Sequence, residues 1–160
     1  MVINAIFIFS ALYLFIVPIL ILGCYILYHP WREQKSMIVF ALVAALLTYA
    51  IGIIGNHVYF DPRPFVVGHF IPLIPHAPDN GFPSDHVLLV SAIASIGMFW
   101  NRRLGVVLWI LAIIVAIARV WVGVHHPIDV LGSITISLLT VSAVYVGWKR
   151  GVFRSITTRL

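Results

Sequence analysis

Hydrophobic residues fall in five long blocks along this chain, and the polar residues collect between the blocks. The blocks run from Ala5 to Tyr28, Met37 to Ile54, Pro83 to Trp100, Leu104 to Val124 and Pro127 to Trp148. Each is close to the ~20 largely apolar residues, range about 17–25, that carry an α-helix across a bilayer. The first block is too long for a signal-peptide core. It is followed by His29-Pro30-Trp31-Arg32 rather than a small-residue cleavage site. A polar-rich stretch, Gly55 to Phe82, separates the second block from the third. The pattern predicts an all-α integral membrane bundle of about five transmembrane helices. At this length it forms one domain over residues 1–160.

Composition narrows the class. Hydrophobic residues make up 62% of the 160 and charged residues 9%, against about 45–50% and about 25% in soluble domains. A soluble globular domain is excluded. The single cysteine, Cys24, lies inside an apolar run, so no disulfide scaffold is available. The formal charge of +5 raises nucleic acid as a partner, but the placement of the cations argues otherwise. Arg32 and Lys35 follow the first block, Arg102 and Arg103 the third, and Lys149, Arg150, Arg154 and Arg159 the fifth. Alternating spans put all of these on one side, which the positive-inside rule makes the cytoplasm. Trp31, Trp100 and Trp148 fall at the same ends, as an interfacial aromatic belt does. The N-terminus is therefore expected outside and the C-terminus in the cytoplasm. The charge excess is topological, and no nucleic acid is expected.

The opposite side carries the chemistry. The two remaining cations, Arg63 and Arg119, gather there with Asp61, Asp79, Asp85 and Asp129, and with every histidine except His29. Arg119 lies inside the fourth block, about five residues or roughly 7 Å from its end. A charge at that depth needs a partner or a polar cavity, and reads as functional. Three segments collect these residues: Asn56 to Pro64, Phe82 to His86, and Ala118 to Asp129. Pro83 suits a first helical turn. Ser84, Asp85 and His86 then lie at a helix N-terminus, where free N–H groups and the dipole favour an anion. Arg63 and Arg119 each offer a planar fork of donors that matches phosphate oxygens. Pro127 opens the fifth helix, so the Asp129 carboxylate can reach back to a ring N–H of His125. That fixes the tautomer and leaves the other ring nitrogen free as a nucleophile. These are parts for phosphoryl transfer, which depends on positioning and charge stabilisation.

The segments resemble the three signature motifs of the type-2 phosphatidic acid phosphatase superfamily, membrane lipid phosphatases related to vanadium haloperoxidases. That pattern is Lys-x6-Arg-Pro, Pro-Ser-Gly-His, and Ser-Arg-x5-His-x3-Asp. Arg63-Pro64, Pro83-Ser84-x-His86 and Arg119-x5-His125-x3-Asp129 match it in order and spacing. Asn56 stands where the first motif has lysine, Asp85 where the second has glycine, and Ala118 where the third has serine. The run Asp61-Pro62-Arg63-Pro64-Phe65, with Pro75-His76 and Asp79 to His86, is similar to the bacitracin-resistance branch. Members of that branch remove a phosphate from undecaprenyl diphosphate.

The resemblance implies an enzyme that hydrolyses a polyprenyl diphosphate lipid at the extracytoplasmic face of the cell membrane. His125 attacks phosphorus to form a phosphohistidine, Asp129 orients it, and His86 protonates the leaving oxygen and then activates water. Arg63, Arg119, Ser84 and the α-helical N–H groups beside it hold the phosphoryl oxygens, with Asp85 and Asn56 beside them. No cofactor and no metal is expected: the arginines supply the positive charge, and no His-x3-His or cysteine pair occurs. Phosphatidylglycerol phosphate or phosphatidic acid is the alternative substrate. The rival classes are a transporter and a catalytically inactive membrane binding protein. A transporter fits less well, because no inverted repeat is visible and the polar groups cluster at one face. His57, His69 and His76 read as loop or interface residues, His126 as a helix-capping residue, Tyr59 and Phe60 as interfacial aromatics. Ser133 and Ser137, about one helical turn apart, read as helix-packing residues.

Overall fold

The computed structural model describes residues 2–151, which are helical throughout their regular structure. The helices are α1 (Val2–Tyr13), α2 (Ile16–Tyr28), α3 (Trp31–Val58), α4 (Pro64–Val67), α5 (Asp85–Trp100), α6 (Arg102–Trp121) and α7 (Pro127–Lys149). Among the described residues there is no strand, only an isolated antiparallel bridge between Pro62 and Asn80. Arg154 and Arg159 lie outside the described residues.

All five apolar blocks appear as helices, with two departures from five equal spans. α3, α6 and α7 are long and apolar enough to cross a membrane, and α1 with α2 would make a fourth span bent by 49°. The expected single helix from Ala5 to Tyr28 is thus broken. Its cause is Pro18, which has no N–H and whose ring clashes with the carbonyl four residues back, at Leu14. The second departure is α5. Its 16 residues rise only about 24 Å, less than the ~30 Å hydrocarbon core. It packs against α2, α3, α6 and α7, and its residues from Val87 to Gly97 are buried except Leu89. A helix enclosed by others contributes core rather than a lipid-facing surface.

The outer faces carry what a soluble protein would hide. On α6, Val106, Ile110, Ile113 and Ile117 are all exposed, at the spacing of one helical face. The inner faces meet through small and hydroxyl residues. Gly105 lets α6 lie directly on the backbone of α5 at Met98. From α7, the Ser133 hydroxyl donates to the carbonyl of Ser84 at 3.0 Å, and the Ser137 hydroxyl to that of Leu88 at 2.8 Å. Both serines are therefore the packing residues that their spacing suggested. α3 extends beyond Met37–Ile54 at both ends, because backbone hydrogen bonding continues where hydropathy stops. One end of the bundle brings together the C-termini of α3 and α6 and the N-termini of α5 and α7.

Candidate active site

Three chain segments meet at that end. The first is the connection from α3 to α5, and Asn80 ties it into one shape. Its Oδ1 accepts from the N–H groups of Asp61 and Phe82 at 2.9 and 3.0 Å. Its Nδ2 donates to the carbonyls of Asn56 and Tyr59 at 2.8 and 2.9 Å. The fold-back presents Arg63, which is 5% exposed. Arg63 Nε donates to Asp79 Oδ1 at 2.6 Å, Nη1 to the Val124 carbonyl at 2.9 Å, and Nη2 to the Asn80 carbonyl at 3.3 Å. The second segment is the start of α5, where Leu88 N–H to Ser84 is the first helical bond. The third links α6 to α7. Pro127 opens α7, and Asp129 in its first turn accepts the His126 N–H at 2.9 Å.

His125 stands where these meet and is 3% exposed. Its Nδ1 lies 3.3 Å from Asp129 Oδ2. A carboxylate only accepts, so Nδ1 carries the proton and Nε2 presents a lone pair. Arg63 Nη1 at 3.4 Å and Arg119 Nη2 at 3.3 Å both face that Nε2. Burial first, then the two guanidinium charges, push the His125 pKa below its ordinary value despite the Asp129 bond. The ring is neutral at neutral pH, with its free nitrogen beside two cations.

Arg119 is 3% exposed and far less satisfied than Arg63. Its Nη1 donates to the Ala11 carbonyl at 3.4 Å, while its Nε has no hydrogen-bond partner among the described residues. No carboxylate there lies within ion-pair distance of it. The break before α2 serves the site too, since Phe15 packs edge-on against His86 at 4.9 Å between ring centroids.

A cavity of about 370 Å³ opens onto these groups. Of the residues expected from the sequence, His125, His86, Arg63, Arg119, Asp85 and Asn56 line it. Asp129 stands behind His125, fully buried. Ser84 is also fully buried, with no partner for its hydroxyl among the described residues, and it is not part of the cavity lining. Asn56 gives its amide N–H to the Phe82 carbonyl at 2.7 Å. The cavity also takes in residues read as structural or not singled out: His57, His76, Asp79, Asn80 and Tyr49. His76 lies edge-on to His125 at 6.2 Å between centroids, and burial and then Arg63 depress its pKa. For Asp79, burial acts upward, but the Arg63 hydrogen bond and charge outweigh it and hold the carboxyl below its usual range. His76 and Asp79 lie in the run that resembles the bacitracin-resistance branch, which was the available signal for both. The nearest grouping to a cation site is Asp61, His126 and Asp129, and internal hydrogen bonds already engage each of them.

A buried histidine whose ring nitrogen faces two arginines, on a membrane helical bundle, fits one class: phosphoryl transfer at a membrane surface. The chain belongs to the PAP2 superfamily, whose model matches residues 37–152, and it is a membrane phosphatase. It is 36% identical to the undecaprenyl-diphosphatase BcrC of Bacillus subtilis (strain 168), over 86% of this chain and 71% of that protein. A Bacillus licheniformis relative named bacitracin transport permease protein BcrC is 32% identical, and the match spans 57% of its length. The putative undecaprenyl-diphosphatase YbjG of Escherichia coli (strain K12) is 28% identical over 72% of this chain and 59% of its own length. The fold is similar to the crystal structure of Aquifex aeolicus LpxE, with TM-score 0.75, 20% identity, and coverage of 90% of this chain and 86% of that one.

Proposed function

We propose that this protein removes the terminal phosphate of undecaprenyl diphosphate at the extracytoplasmic face of the cell membrane, by way of a phosphohistidine on His125. The observation that carries this reading is the convergence on His125 Nε2 of two buried guanidiniums, one of them, Arg119, with no carboxylate in contact among the described residues and only the charge of Asp85 acting on it from farther off. A buried cation without a counter-ion is costly unless an anion completes it, and a phosphoryl group of this cavity's substrate is that anion.

In this mechanism His125 Nε2 forms a P–N bond as the bond from phosphorus to the bridging oxygen breaks. The His86 proton passes to that oxygen, and undecaprenyl phosphate leaves. His86 then takes a proton from water, whose oxygen attacks phosphorus and breaks the P–N bond. Phosphate departs and His125 returns to its neutral form. Asp129 balances the charge on the His125 ring, while Arg63, Arg119 and the N–H groups opening α5 receive the equatorial oxygens.

The lipid assignment has its own support. An apolar cleft between α3 and α5, lined by Ala45, Thr48, Leu88, Leu89 and Ala92, shares Tyr49 and Asp85 with the cavity. A prenyl chain in that cleft would lead its diphosphate into the cavity. The named activity of the Bacillus subtilis relative agrees with this. The cation-rich connections at the other end of the bundle support the extracytoplasmic face.

Purified protein should release phosphate faster from undecaprenyl diphosphate than from phosphatidylglycerol phosphate in mixed micelles. His125→Ala should abolish both activities and the acid-labile phosphoenzyme. A clear preference for the glycerophospholipid overturns the substrate, and near-normal turnover by His125→Ala overturns the mechanism. The pH profile adds a check. Attack needs neutral His125, so kcat/KM should hold below the ordinary histidine value of about 6.5. On the acid side it should fall as pH drops through the depressed pKa of His125, and on the alkaline side as His86 loses the proton it must donate.

A further inference from the structure

Outside the cavity lining, behind His125, lies a second layer of titratable groups, of which this chemistry uses only Asp129. Asp61 Oδ2 faces His126 Nδ1 at 3.0 Å, and the His126 N–H donates to Asp129 Oδ2 at 2.9 Å. One nitrogen or oxygen from each of Asp61, His126 and Asp129 lies within 4.8 Å of the other two. Gly81 closes the layer. Its N–H donates to the Asp61 carbonyl at 2.8 Å, and a Cβ at Gly81 would stand 2.9 Å from Asp129 Oδ2.

Asp129 poses a problem that this layer can solve. Its Oδ2 serves both the His126 N–H and His125 Nδ1, yet its buried Oδ1 has no hydrogen-bond partner among the described residues. A buried carboxylate oxygen without a donor is strongly destabilising. Two carboxyls this close, in a largely buried setting, do not both stay ionised. Burial and then Asp129 push the Asp61 carboxyl above its usual range, against the opposing pull of His126.

We propose that Asp61 is a positioning residue for phosphoryl transfer: a neutral acid that accepts the His126 Nδ1–H on Oδ2 and donates its own proton to Asp129 Oδ1. The chain of contacts is then His126 to Asp61 to Asp129 to His125. The donor from Asp61 fixes the Asp129 carboxylate in orientation and lowers its basicity. Asp129 therefore stays the anion as His125 becomes a cation on phosphorylation, and does not take the Nδ1 proton. The inference rests on His125 as the nucleophile.

The test compares Asp61→Asn, Asp61→Ala and Asp61→Ser with wild type and His125→Ala, following phosphate release from undecaprenyl diphosphate across pH. The asparagine amide offers an N–H where the acid offers its O–H, so Asp61→Asn should keep most of the turnover. Asp61→Ala should lose about ten- to hundredfold, the worth of one hydrogen bond to a charged group. Groups facing Asp61 are His126 and Asp129, with His125 behind Asp129 and Arg63 and Arg119 beyond it. Without the Asp61 donor, Asp129 becomes more basic and favours protonated His125. The acid limb of kcat/KM should therefore move to higher pH in Asp61→Ala and Asp61→Ser, and stay in place in Asp61→Asn. A role confined to folding would lower the amount of active protein and leave the limb unmoved. Asp61→Asn as defective as Asp61→Ala, an unshifted limb, or wild-type activity lost to a chelator and restored by a divalent cation each overturns the proposal. Activity retained by His125→Ala instead removes the nucleophile on which it rests.

Discussion

Arg63 and Arg119 aim at the same ring nitrogen from two unlike regions. Arg63 comes from a loop and is the better held, with Asp79, Val124 and Asn80 all accepting from it. Arg119 comes from the last turn of a long apolar helix and is the less satisfied, with one long bond to the Ala11 carbonyl and a bare Nε. The loop arginine needs partners because nothing else fixes its position. The helical arginine is already placed by α6 and keeps its donors open. Under the proposed mechanism both would receive phosphoryl oxygens, with Arg63 also holding the loop in shape and Arg119 giving more of its donors to the incoming phosphoryl group.

Exchanging the arginines one at a time should expose that division. Arg119→Ala should cost the most activity, about 10³-fold or more, as removal of a transition-state arginine does elsewhere. Its melting temperature in detergent should stay near wild type, because few protein contacts are lost. Arg119→Lys should recover little, since an ammonium cannot reproduce the planar fork. Arg63→Ala should cost about 10²–10³-fold and also lower the melting temperature, because the loop loses its links to Val124, Asn80 and Asp79. Equal losses of stability in both variants would erase the distinction.

The two regions also differ in how far the sequence reveals them. Arg119, His125 and Asp129 were legible because a short link and one helix turn set their relation. Asp129 reaches His125 simply by standing in the first turn of α7. The pair of Arg63 with Asp79, and the Asn80 knot, were not legible as contacts. Asp79 lies 16 positions from Arg63, and Asn80 lies 19 to 24 positions from Asp61, Tyr59 and Asn56, and loop closure follows no periodicity. The place of His76 in the cavity lining is hidden for the same reason. The break in the first span had a visible cause in Pro18, but a count of apolar residues ignores the Leu14 carbonyl that the proline ring displaces. The enclosure of the short α5 is not legible either, because hydropathy gives length in sequence and not which helix is enclosed.

A milder way to loosen the loop region leaves both guanidiniums in place. Asp79→Ala removes the 2.6 Å acceptor of Arg63 Nε but keeps the Val124 and Asn80 contacts. Arg63 should lose orientation rather than charge. We expect turnover to fall about tenfold, roughly one charge-assisted hydrogen bond. Asp79→Asn should fall between this variant and wild type, because its amide oxygen still accepts. Initial-rate kinetics on the three proteins check it. An Asp79→Ala defect as deep as Arg63→Ala would mean that Arg63 has no fixed position without its acid.

The smallest expected effect falls on Asn56, at the position of the family lysine. Its amide N–H is committed to the Phe82 carbonyl at 2.7 Å, and its backbone carbonyl accepts from Asn80 Nδ2 at 2.8 Å. It lines the cavity but carries no charge, so its main contribution is to set how Phe82 and Pro83 lead into α5. Its side chain is also exposed, so water can replace the lost donor. Asn56→Ala should therefore cost about fivefold, close to one net neutral hydrogen bond of ~1 kcal/mol. KM and kcat should change together, and the acid limb of the pH profile should not move, because His125 keeps both arginines and Asp129. The same phosphate-release assay decides it, run beside Arg119→Ala. A loss as large as that of Arg119→Ala would place Asn56 directly on the phosphate and make the loop region, not α6, the main ligand of the charge.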